Sequence, residues 1–125
     1  MSYQFMIEND HKVIYSLVKE LLASASRGLG PHESRNIFAK IIETLKDHFT
    51  TEEAAMDQHD YPEAETHRKA HISLLELFHE IGENLVTPDG KLRLGSLQHG
   101  ESEISEHVCS HDIELTYFLR DKKPE

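Results

Sequence analysis

Apolar residues along the chain recur at intervals of three and four rather than two, and three breaks interrupt the pattern. The breaks are Arg27 to Pro31 with its two glycines, the pair Tyr61-Pro62, and the turn sequence Thr87-Pro-Asp-Gly90. A first segment, about residues 8 to 26, carries Val13, Ile14, Leu17, Val18, Leu21, Leu22 and Ala25. A second, about 32 to 57, carries Ile37, Phe38, Ile41, Ile42, Leu45, Phe49 and Met56. The third, about 62 to 85, opens with Pro62 at an expected first-turn position and carries Ala70, Leu74, Leu75, Phe78, Ile81 and Leu85. The last, about 97 to 120, carries Ile104, Val108, Ile113, Leu115, Phe118 and Leu119, with Gly95 and Gly100 weakening any helix before Glu103. No segment alternates as a half-buried strand does. The expected fold is all-α: an antiparallel up-down bundle of four helices, each about 30 to 39 Å long, in a single domain over residues 1–125.

Composition narrows the function. The 125 residues hold 13 Lys and Arg against 23 Asp and Glu, a net charge of −10 that argues against nucleic acid as a partner. No apolar run is long enough for a membrane span, and the polar start is no signal peptide. The single cysteine, Cys109, suits a reducing compartment, so a cytoplasmic location is expected; as a side chain it reads best as a small buried hydrophobe. The surplus is histidine: ten, against five Phe, four Tyr and no Trp.

Several of these histidines lie on the apolar stripes. Ile41 and Leu45 lead on to His48, Glu52 and Met56 at steps of three and four. Leu85, Ile81, Phe78 and Leu74 lead back to His71 and His67, and His11 precedes Ile14, Val18 and Leu21 at the same spacing. With alternate helices antiparallel, all five groups gather at one end of the bundle. A lone core histidine is ordinarily satisfied by hydrogen bonds. Four imidazoles and a carboxylate converging would each carry a desolvation cost of roughly 1–3 kcal/mol, and a metal supplies the missing partner for all of them. On the fourth helix spacing leaves a choice. His107 and Asp112 stand about 140° apart on a regular helix, and His111 and Asp112 are rival ligands.

The run His48-Phe-Thr-Thr-Glu52-Glu-Ala-Ala-Met56, then Tyr61-Pro62, then His67-Arg-Lys-Ala-His71 resembles the hemerythrins, and closely the bacterial ones. Their pattern is one His in the first helix, His-x-x-x-Glu, His-x-x-x-His and His-x-x-x-x-Asp in the next three. The resemblance implies seven ligands, His11, His48, Glu52, His67, His71, His107 and Asp112, and leaves His111 outside. It implies two iron ions joined by an oxo or hydroxo bridge. His67, His71 and His107 would hold one, His11 and His48 the other, and Glu52 and Asp112 would span both. One coordination position then stays open for dioxygen, walled by Ile104, Phe49, Leu45 and Leu74. Glu103-Ile104 stands where the family often has Trp-Leu, and Glu8 where it commonly has Asp.

The resemblance thus implies reversible dioxygen binding for storage, delivery or sensing rather than catalysis, a sensor requiring a separate signalling partner. Glu8-x-x-His11 and Glu76-x-x-His79 resemble the pairs of ferritin-like diiron oxidases, an enzyme alternative, although that site type is richer in carboxylates. His59-Asp60 and His111-Asp112 suggest His-Asp phosphohydrolases more weakly. The remaining histidines, His32, His59, His79, His99 and His111, read as exterior residues.

Overall fold

The computed structural model describes residues 2–28 and 30–123; the side chain of Ala25, expected on the first stripe, lies outside what it describes. Helix α1 spans Tyr3–Arg27, α2 Pro31–Gln58 and α3 Ala64–Glu83. The fourth helical rod consists of α4 (Leu94–His107), one π turn (Val108–Asp112) and α5 (Ile113–Leu119). Each rod packs on its sequence neighbours and the fourth closes back on α1, which makes a four-helix bundle. Among the described residues there is no strand, only an isolated bridge between Val86 and Leu92 around the Thr87–Gly90 turn. No helix among them is long and apolar enough to cross a membrane.

Local chemistry explains where each helix starts and stops. The Ser2 hydroxyl accepts the amide hydrogen of Phe5, so α1 begins five residues before the apolar pattern suggests. Gly28, at φ +71°, ends it in the left-handed conformation glycine adopts at little cost. Pro31 opens α2, where its missing N–H is no loss. Asp60 closes α2 at φ +52°, and the Tyr61 amide then bonds back to the Met56 carbonyl at 3.0 Å. That six-to-one bond is a Schellman closure, and its usual apolar contact is present, since Tyr61 and Met56 share one buried cluster. Pro62 therefore sits in the turn rather than in the first turn of α3, which starts two residues later.

The core has two parts. The larger cluster includes Ile14, Val18, Leu21, Phe38, Ile41, Leu45, Phe49, Leu74, Phe78, Ile81, Leu97 and Ile104. The smaller one joins Tyr3, Ile7, Ala55, Met56, Tyr61, Leu115 and Leu119. The expected ligands lie between them instead of at the end of the bundle. The early start of α1 is the reason, because Tyr3 and Ile7 extend its buried stripe beyond His11. Val13 and Ile113, counted with the apolar faces on spacing, are instead 43% and 56% exposed.

The two weakening glycines of the fourth rod differ sharply. A Cβ at Gly100 would stand 3.0 Å from both Ile81 Cδ1 and Phe78 Cζ, so α4 lies tight against α3 and those packed side chains would have to give way, whereas at Gly95 it would meet nothing within 4 Å. Gly95→Ala should raise the urea midpoint through a propensity gain of about 0.5–1 kcal/mol. Gly100→Ala should lower it, because overpacking costs about 1–3 kcal/mol and outweighs the same gain.

Candidate metal centre

All four rods bring ligand-type side chains to the layer between the two apolar clusters. His11 comes from α1, His48 and Glu52 from α2, His67 and His71 from α3, His107 from the end of α4, and Asp112 from the π turn. All but His11 are buried. Every imidazole turns its Nε2 toward a carboxylate. Asp112 Oδ2 lies 2.7 Å from His11 Nε2 and 3.5 Å from His48 Nε2. Its Oδ1 lies 3.0 Å from both His67 Nε2 and His107 Nε2. Glu52 Oε1 meets His71 Nε2 at 2.9 Å and His67 Nε2 at 3.4 Å, and its Oε2 lies 3.5 Å from His48 Nε2.

The π turn resolves the fourth helix. A regular helix cannot aim both His107 and Asp112 inward across five residues. Widening one turn to the i→i+5 pattern stacks the fifth residue nearly over the first, so both side chains enter the core. Val108 is left half-buried and Cys109 exposed, contrary to the buried role expected for that thiol. His111 is half-buried at the rim, its ring 5.1 Å from that of His107 and 5.6 Å from that of His67. His32, His79 and His99 are exposed, and His59 meets the Tyr3 hydroxyl at 3.1 Å. Glu8 faces outward, bonded to Gln4, and Glu76 is exposed with His79, so the oxidase-like pairs do not join the layer.

Two groups of donors emerge whose ligand atoms lie within 4.8 Å of one another: Glu52, His67, His71, His107 and Asp112 in one, and His11, His48, Glu52 and Asp112 in the other. Ligands around one ion with bonds of about 2.0–2.2 Å stand at most roughly 4.4 Å apart, so small inward shifts would suffice. Glu52 Oε2 and His107 Nε2 are buried with ionic neighbours at 3.5 and 3.0 Å but without a hydrogen bond of good geometry, a condition that a cation would relieve. Overlapping nitrogen and oxygen donor sets sharing two carboxylates fit a pair of metal ions.

The Hemerythrin HHE cation binding domain model matches residues 4–116. The chain belongs to the hemerythrin family. Bacteriohemerythrins from two strains of Campylobacter jejuni are 25% identical to it over 76 residues, 61% of this chain and 57% of theirs. The match thus spans little more than half the length of these curated relatives. No solved structure matches the chain significantly.

Electrostatics in this hemerythrin-family site follow from burial opposed by pairing. Burial pushes Asp112 up, but the surrounding imidazoles of His107, His11, His48 and His67 drive it far below the usual carboxylate range. Burial disfavours charge on His48, yet Asp112, Glu52 and Asp10 together raise it to about 9. His67 is likewise raised to about 9 against its burial, by Asp112 and Glu52. Burial, with His67 and His107 nearby, lowers His71 to about 2, and burial foremost lifts Glu52 to about 7.

Two outer carboxylates that spacing did not single out complete the layer. Asp10 Oδ2 lies 2.9 Å from His48 Nδ1, and Glu53 Oε2 lies 2.8 Å from His71 Nδ1. Phe49 stacks on His71 with centroids 3.9 Å apart, and Ile104, Leu45 and Leu74 adjoin it in the larger cluster.

Two predictions follow from this arrangement. Asp112→Ala should abolish metal retention at both positions, because its carboxylate belongs to both groups; His111→Ala should leave metal per chain unchanged, as read by elemental analysis. The second concerns pH. The metal-free fold favours protonated His48 and His67 over the unfolded chain, whose histidines titrate near 6.5. That stability is fully present below pH 6.5 and is lost as pH rises through about 9. Metal must displace the same protons, so its affinity should rise over that window while the melting temperature of the metal-free protein falls.

Proposed function

We propose that this chain is a non-haem diiron protein that binds dioxygen reversibly, for storage, delivery or sensing, and is not an enzyme. The single observation that carries the reading is the inequality of the two donor groups around shared Glu52 and Asp112. One adds three imidazoles, His67, His71 and His107; the other adds two, His11 and His48. With six-coordinate metals and a common oxygen bridge, the first group is complete and the second is one ligand short.

The surroundings of the second group support small-ligand access. His11 is the one member with appreciable side-chain exposure, 13%. A groove of about 530 Å³ between α1 and the fourth rod reaches His11 and Asp112, with Ile7, Val108, Ile113 and Tyr117 along it. The cleft beside His107 on the other side is smaller, about 180 Å³. These features support an open position on the side of the wider approach.

A bound iron pair would supply the two electrons that dioxygen needs, together with that open position. The chain's own part is to hold the pair and keep it dry. Glu52 and Asp112 belong to both donor groups, so each would hold both ions and keep them together. Phe49 on His71, with Leu45, Leu74 and Ile104, forms the apolar wall that excludes water and stray protons, on which reversibility depends. Bacteriohemerythrin relatives and the cation-binding family model are in keeping with this role.

Anaerobic loading with ferrous iron should give two irons per chain. Exposure to air should produce an oxo-bridged charge-transfer band that disappears when oxygen is removed and returns on re-exposure. Fewer than two irons, or a single irreversible conversion to the diferric form, would refute dioxygen carriage.

A further inference from the structure

We infer that Asp10 and Glu53 are positioning residues for the two metal positions, each fixing the tautomer and ring orientation of one histidine. The inference rests on the metal-binding part of the proposal above and not on dioxygen. Asp10 takes the Nδ1 hydrogen of His48, and Glu53 takes that of His71, at 2.9 and 2.8 Å. With the proton held on Nδ1, it is Nε2 that faces the layer of Glu52 and Asp112 and that would offer its lone pair to a metal once any hydrogen there is displaced. One such pair falls in each donor group, since His48 belongs to the four-residue set and His71 to the five-residue set.

The placement follows from helix geometry. Asp10 immediately precedes His11, and Glu53 immediately follows Glu52. One residue along a helix is a rotation of 100°, so a neighbour of an inward-facing ligand points across the seam toward the next helix. Asp10 on α1 thereby reaches His48 on α2, and Glu53 on α2 reaches His71 on α3. Thus α1 orients a ligand of α2, and α2 a ligand of α3.

The two carboxylates are not equivalent. Glu53 is itself held, its Oε1 lying 3.7 Å from the Nε of Arg68, which also pairs with Asp57. Arg68 adjoins His67 as Glu53 adjoins Glu52, so the seam between α2 and α3 carries an Arg68–Glu53–His71 chain. At the α1–α2 seam, among the described residues, Asp10 meets His48 without a basic side chain paired behind it. By contrast His67 Nδ1 is buried with no partner, so a carboxylate support is a property of particular histidines rather than of all of them.

The test uses the whole chain and a diamagnetic probe, zinc, alongside ferrous iron. In the zinc-loaded protein, 15N-edited NMR should show exchange-protected Nδ1 hydrogens for His48 and His71. Asp10→Ala should remove protection at His48 alone, and Glu53→Ala at His71 alone. Each Ala variant should bind zinc about 10- to 100-fold more weakly in chelator competition. Asp10→Asn and Glu53→Gln, which keep an accepting oxygen, should recover most of that loss. A fall in melting temperature of the metal-free variants with unchanged zinc affinity and unchanged Nδ1 signals would overturn the inference, because the carboxylates would then merely tie helices together. Wild-type protein that binds zinc but gives no reversible response to oxygen would overturn the dioxygen proposal and leave this one standing.

Discussion

Everything in this bundle answers to one electrostatic fact: Asp112 is a carboxylate in the dry interior with four imidazole nitrogens around its two oxygens. A buried charge is tolerated only where it is paired, and unpaired it would shift its protonation or unfold its surroundings. The four histidines come from all four rods, so pairing Asp112 fixes the mutual heights of the helices. It also accounts for the irregular fourth rod. A π turn is rare and weakly bonded, and here it is retained because a regular helix could not deliver His107 and Asp112 to the same layer.

The polar layer also divides the hydrophobic core. Above it the larger cluster fills the bundle in the ordinary way; below it Tyr3, Ile7, Met56, Tyr61, Leu115 and Leu119 close the remaining end. Without that lower cluster the polar layer would face solvent through the open end of the bundle. The lower cluster depends in turn on small local decisions, the Ser2 cap that starts α1 early and the Asp60 turn that folds Tyr61 under Met56.

Much of this was legible from spacing. His48 with Glu52 and His67 with His71 are four residues apart on apolar stripes, and four residues on a helix share a face whatever the rest of the chain does. The helix count, and the place of His11 on its stripe, follow from the same periodicity. Three things were not legible. The start of α1 lies beyond the polar run Glu8-Asn-Asp10, which reads as a boundary although Tyr3 and Ile7 continue the stripe of His11 at steps of four. The inward aim of both His107 and Asp112 depends on a change of helical pitch that the residue types do not announce. Asp10 and Glu53 look like members of an acidic outer face, since a contact across a seam depends on how two helices are rotated against each other.

The pairing of His11 with Asp112 joins positions 101 residues apart. During synthesis from the N-terminus, His11 leaves the ribosome long before its partner exists, and no nascent chain that stops short of Asp112 holds either donor group intact. Metal capture by either group would therefore wait until Asp112 has been made. The centre cannot serve as a nucleus around which the helices collect, because closing so long a loop is the costly, late kind of contact. The apolar stripes are the more local contacts that could bring the rods together first, so that a metal would enter a bundle already assembled.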